Sequence, residues 1–146
     1  MHATPGVDRY DRHLAAMAIA ELGDNWPERE AAPPMIKSIS LLTRKEGWTH
    51  EQFVRHWLEV HAPLAHAVPG LRRYVQSHLV EERRRADIPA TDVEVDGIAE
   101  LWFDDRESMA AAMATPAAKA LHADGALFIG RIKTWTVEEK QIVPRP

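Results

Sequence analysis

Residues 43–64 read TRKEGWTHEQFVRHWLEVHAPL, a turn, a capped helix start and an apolar helix face in one stretch. Gly47 sits in a polar turn, and Thr49 with Gln52 makes a capping box, in which each side chain satisfies a backbone N–H at a helix start. The helix then runs from residue 50 to about 62, with Phe53, Trp57, Val60, His61 and Leu64 recurring at steps of three and four on one apolar face. Glu51, Arg55 and Glu59 fall on the side left to water. Pro63 is expected to stop the helix, because its ring pushes Ala62 out of the helical region. An imidazole at position 61 on the apolar side, one turn from that stop, has four readings: packing, a hydrogen-bond anchor, a metal ligand or a proton carrier.

Upstream, MIKSISLLT (35–43) is short, Ile- and Leu-rich and leads into the turn, as a strand does. Downstream, VPG (68–70) is a turn that releases the chain into LRRYVQSHLVEE (71–82). Alternation there places Arg72, Tyr74, Gln76, His78 and Val80 on one face. After a loop to about residue 96, GIAELWF (97–103) alternates Ile98, Glu100 and Trp102 against Gly97, Ala99, Leu101 and Phe103. A glutamate in so apolar a strand must be paired or protonated if buried; Arg73 and Arg131 are the partners considered for a structural ion pair. Asp104 or Asp105 can cap a helix carrying Met109 and Met113, and Thr115-Pro116 starts another. That helix is expected to run out near Ala123, with Gly125 as its left-handed terminator. LFIGRIKTWTVEE (127–139) is the last strand.

The order β, α, β, β, α, β predicts an α+β fold, the ferredoxin-like split βαβ, with helices on one face of a four-stranded antiparallel sheet. The other face stays open, and a second copy of the chain covering it is the economical solution, so a homodimer through that face is expected. Residues 1–34 differ in character: one helix over about 8–22 and the polar, proline-marked DNWPEREAAPP form an N-terminal helical extension. It is expected to cover the cleft mouth or the dimer edge. The main domain is 35–143.

Composition narrows the functional classes. The formal charge is −4, whereas a nucleic-acid binder carries a basic domain or stripe; the one dense arginine run, ERRRAD (82–87), is flanked by acids. No cysteine is present, which removes disulfides, thiolate nucleophiles and Cys-type zinc sites and suits a reducing cytoplasm. The early apolar run LAAMAIA (14–20) is too short to span a bilayer. His50, His56, His61 and His66 are never three or four apart, so no regular helix pairs two of them on one ion, and no metal is expected.

The segments MIKSISLLTRKEGWTHEQFVRHWLEVHAPL, VPGLRRYVQSH, DGIAELWFDD and FIGRIKTWTVEE, in that order, resemble the EthD family of dimeric α+β barrel proteins, which includes 4-methylmuconolactone methylisomerase. The resemblance covers residues 35 to about 143. It implies a dimeric barrel, a ligand cleft near the histidine of an HAPL-like motif, here His61, and one of several activities found among barrel relatives: lactone isomerases, polyketide cyclases and dehydratases, and oxygenases. An acid/base enzyme without a cofactor, an isomerase or lyase on a small lactone or enolisable carbonyl compound, is the first expectation. His61 would be its base, Tyr74 or His78 its hydroxyl or imidazole donor, and Glu100 an orienting carboxylate, with Trp57, Leu64, Trp102 and Phe128 against the substrate. A haem-dependent or cofactor-free monooxygenase, with His61 or His78 as the axial ligand of any haem, and a non-catalytic binding protein of a degradation pathway are the alternatives.

Overall fold

The computed structural model describes residues 35–144; the N-terminal extension lies outside them. Strand β1 is Ile36–Arg44, and the first helix, α1, follows in three segments, His50–His56, Trp57–His61 and Ala62–Ala65. Then come β2, Arg73–His78; β3, Gly97–Phe103; α2, Arg106–Met113; α3, Pro116–Phe128; and β4, Ile129–Glu138. The strands are ordered β2-β3-β1-β4 and all neighbours are antiparallel. This is the expected α+β, ferredoxin-like sheet, and Met35–Glu139 form one compact unit.

Registers show which side chains share a face. Ser40 lies between Ala99 and Thr134, and Tyr74 is opposite Leu101. Ile36, Leu42, Ala99 and Phe103 therefore point to the helix side, where they meet Phe53, Trp57, Ala65, Val68, Ala112, Ala118, Leu121 and Phe128 in two buried clusters. On the same side the middle of β1 offers only Ser38 and Ser40. Small hydroxyl side chains at mid-sheet leave space under the helices that the larger core residues do not fill.

Two expectations about the helices are corrected. Pro63 does not stop α1, because the helix widens into a π-turn over Trp57–His61, in which the Ala62 N–H donates to the Trp57 carbonyl. The widened turn gives the proline ring room against the preceding turn, whose carbonyl it would strike in a regular helix. The extra residue also rotates the faces: Phe53, Trp57, His61 and Ala65 are buried, whereas Val60 turns out to 48% exposure. Gly125 likewise does not end α3, which continues to Phe128 with Gly125 buried inside it. Thr115 caps that helix at Ala118 N, and Asp105 caps α2 at Ser108 N.

Gly97 is required by close approach. A β-carbon there would lie 2.4 Å from Cζ3 of Trp57, whose ring also packs against His78 at 4.7 Å. The absence of a side chain at the start of β3 is what lets the indole pack directly against that strand.

The face without helices carries Ile39 and Leu41 from β1, Val75 from β2, Ile98, Glu100 and Trp102 from β3, and Trp135 and Val137 from β4. Lys37, nearly buried, donates to Glu100 at 2.7 Å and to Glu139 at 2.9 Å. Burial works against its charge, but the two carboxylates outweigh that and raise its pKa. Arg73 lies 4.6 Å over the Trp102 ring. Among the described residues no helix is long and apolar enough to cross a membrane.

Candidate functional site

Beneath the helices, over the serine and threonine floor of the sheet, is a cavity of about 640 Å³. Ser38, Ser40, Thr134 and Thr136 form its floor; Trp57, His61 and Tyr74 stand on its walls. The Ser40 and Thr134 hydroxyls bond to each other at 2.8 Å. A largely apolar volume with a few converging polar groups is the usual form of a small-molecule site.

His61 is the pivot. Its Nδ1 lies 2.8 Å from Oδ2 of Asp124, and His56 Nε2 lies 3.0 Å from Oδ1 of the same carboxylate. A carboxylate only accepts, so His61 carries its hydrogen on Nδ1 and leaves the Nε2 lone pair free. Among the described residues the only sealed side-chain polar atom without a partner is Trp57 Nε1; His61 Nε2 has no protein partner and is not sealed, which leaves it open to the cavity that the ring lines. Phe128 packs against both imidazoles, with centroids 4.6 Å from His56 and 5.2 Å from His61. Burial pushes the His61 pKa down; the bond to Asp124 and its charge pull it up, while His56 and His122 add to the lowering, and the result is a lowered pKa. The lowered pKa favours the neutral ring, and the bond to Asp124 holds that ring in one tautomer.

Across the cavity, burial pushes the Tyr74 phenol up, so it stays protonated and can donate. Tyr74, His61 and Trp57 are brought together on the cavity wall. The other expected residues are not. Glu100 and Trp102 lie on the opposite face of the sheet, because odd and even positions of a strand point to opposite sides. Glu100 cannot orient His61, and its partner is Lys37 rather than an arginine; the Trp102 indole donates to Glu139 at 3.1 Å. His78 shares Tyr74's face but reaches Gln76 Oε1 at 2.9 Å and the Trp57 ring, not the cavity. Leu64 packs on the core around Ile36 and Phe103, and Phe128 stands behind the histidines rather than against the cavity.

Asp124 and His56 were missed by sequence reasoning. Asp124 belongs to the part of α3 beyond its expected end, and Asp124-Gly125 reads as a stop. His56 and His61 are five apart, about 140° around a regular helix; only the π-turn brings both onto one carboxylate. No local signal in the sequence marks that turn, because Pro63 reads there as a stop. Among the described residues no group of three or more His, Cys, Asp or Glu is arranged to hold a metal. The described cavity lining offers His61 and His122 as axial ligands for haem but no lysine or arginine for its propionates; that donor set does not fit haem.

The sequence matches the EthD domain over residues 45–132. The chain belongs to the EthD family. A relative from Pseudomonas reinekei, 4-carboxymethyl-4-methylbutenolide mutase, is 32% identical over 106 residues, covering 72% of this chain and 98% of the relative. The crystal structure of an EthD family protein from Bacillus halodurans superposes with a TM-score of 0.60 at 30% identity, covering 73% of this chain and 99% of that one. A protein from Thermobifida fusca, described as a dimeric ferredoxin-like protein of unknown function, matches with a TM-score of 0.54 at 17% identity over 73% and 92% of the two chains. That last likeness is one of fold alone. The EthD match spans the π-turn, Tyr74 and Asp124, so the whole constellation lies within the family domain.

Proposed function

We propose that this EthD protein is a cofactor-independent isomerase acting by proton transfer on a small unsaturated lactone or a related enolisable carbonyl compound. The observation that carries the reading is the His61 imidazole, held by Asp124 in the Nδ1–H form with Nε2 open to an apolar cavity. The butenolide mutase relative supports the substrate class. His61 Nε2 removes a proton next to the conjugated carbonyl, and the Tyr74 hydroxyl donates to the carbonyl oxygen as negative charge gathers on it. The proton returns to a different carbon from the His61 imidazolium. No electron is gained or lost, so hydrogen-bonding side chains suffice. The lack of cysteine fits a cytoplasmic enzyme.

The test is a panel of butenolides and muconolactones, with and without a carboxymethyl group, followed by proton NMR. Turnover is expected with at least one, and His61→Ala is expected to reduce it by at least about 100-fold, the scale of a lost general base. Because the His61 pKa is lowered, kcat/KM should hold on acidification through pH 6.5 and fall only below it, as protonation blocks Nε2. Turnover unaffected by His61→Ala would remove this reading, and saturable binding without turnover would favour a carrier.

We also propose that the open sheet face pairs with a second copy of the chain. Ile39, Leu41, Val75, Ile98 and Trp102 surround the Lys37–Glu100 pair on it, and Trp135 stands 43% exposed. Sedimentation velocity is expected to give a dimer, and Trp135→Glu a monomer. A monomeric wild type at micromolar concentration would contradict the pairing.

A further inference from the structure

Tyr74 and its neighbours form a chain of hydrogen bonds whose direction can be read. Gln76 lies two residues along β2 on the same face. Its Nε2 is 2.9 Å from the Trp57 carbonyl oxygen, and a carbonyl can only accept, so the amide nitrogen is placed without ambiguity. The same nitrogen is 2.9 Å from the Tyr74 hydroxyl. An amide nitrogen only donates, so the Tyr74 oxygen is the acceptor in that contact. On the other side, Gln76 Oε1 takes a hydrogen from His78 Nε2 at 2.9 Å. The other polar group in this corner, Trp57 Nε1, is buried without a partner, and an indole N–H is again a donor only. Every protein group disposed around the Tyr74 oxygen therefore gives hydrogen and none takes it. The phenol's own hydrogen has no acceptor among these neighbours, and Tyr74 lines the cavity.

We infer that Gln76 is a positioning residue that turns the Tyr74 O–H into the cavity, fixing it as a donor to an acceptor atom of the guest. The inference rests on the proposed use of the cavity and adds to it a cause for the hydroxyl's direction. The anchor is the π-turn itself: the Trp57 carbonyl that fixes Gln76 also receives the Ala62 N–H of that turn. One distortion of α1 thereby serves both sides of the cavity, aligning His61 with His56 on Asp124 and holding the amide that aims Tyr74. His78, read from the sequence as an acid or base, becomes the far end of this chain, with its hydrogen on Nε2.

The chain has two tyrosines, Tyr10 and Tyr74, so the ultraviolet titration of tyrosinate, differenced against Tyr74→Phe, isolates the residue without any substrate. Gln76→Met keeps the bulk and removes the N–H donor; Gln76→Glu keeps the shape and offers an acceptor that draws the phenol hydrogen away from the cavity. Loss of the donor should raise the Tyr74 midpoint by about one unit, and Gln76→Glu should raise it further. Binding of 4-nitrophenolate, whose oxyanion needs the donated hydrogen, should weaken roughly tenfold in Tyr74→Phe, measurably in Gln76→Met and most in Gln76→Glu. A residue that only supports the fold would lower the melting temperature and leave the tyrosinate midpoint in place. A Tyr74 midpoint unmoved in whichever Gln76 variant folds, or wild-type phenolate affinity in Tyr74→Phe, overturns the inference. An inert lactone panel would count against the proposed reaction alone, since the titration reads the hydroxyl directly.

Discussion

Asp124→Asn is expected to lower kcat by about 10³-fold or more while leaving the fold in place, the scale reached when a base loses the carboxylate that fixes its tautomer. The carboxylate accepts from His61 Nδ1 at 2.8 Å and from His56 Nε2 at 3.0 Å. An amide of the same shape has one oxygen and one NH₂ to share between the two rings. If the NH₂ meets His61, the imidazole hydrogen moves to Nε2 and the lone pair no longer faces the guest. Even with the oxygen toward His61, the negative charge that stabilises the imidazolium is gone, and the lowered pKa falls further. The measurement is kcat with the substrate found in the lactone panel, alongside thermal unfolding. The loss should appear in kcat with little change in KM, because the carboxylate does not touch the guest. A drop of less than tenfold in a folded Asp124→Asn would show that His61 does not depend on it.

Phe128→Ala is expected to destabilise the protein by about 3–5 kcal/mol, a large share of the total for a domain of this size. The ring is fully buried and meets Phe53 at 5.1 Å as well as both imidazoles and Trp48. Truncation leaves a hole where α1, α3 and β4 converge. On thermal unfolding this corresponds to a fall in Tm of roughly 12–25 °C. Phe128→Leu refills most of the space without the aromatic face and should cost under about 1.5 kcal/mol, which separates the cavity effect from stacking on the histidines. A loss below about 1 kcal/mol in Phe128→Ala would mean that the ring is not the common support of these elements.

Most of the architecture was legible because it depends on periods of two and of 3.6. GIAELWF alternates over the length of β3, and Thr49, Asp105 and Thr115 are caps whose side chains reach the backbone as their residue types require. What was not legible depends on departures from those periods. The π-turn follows from packing Trp57 on Gly97 and keeping Pro63 within the helix, and no local propensity announces it. It brings His56 into the site, turns Val60 outward and holds Asp124 between two rings. Gly125 was misread because a glycine near an expected helix end looks the same whether it terminates the helix or lies close to a neighbouring ring; a β-carbon there would touch His61 Cε1 at 3.7 Å. Glu100 and Trp102 are outside the cavity because Tyr74 and Leu101 oppose each other in the sheet, a register that puts Glu100 on the far face and that alternation within one strand does not reveal.

The most direct measurement is the imidazole ¹⁵N spectrum of histidine-labelled protein at pH 7, with His61 assigned by its loss in His61→Gln. The account predicts a neutral ring protonated at Nδ1, and an Nε2 signal that moves when an unsaturated lactone is added. A ring that is doubly protonated at that pH, or that carries its hydrogen on Nε2 and ignores the lactone, would contradict it.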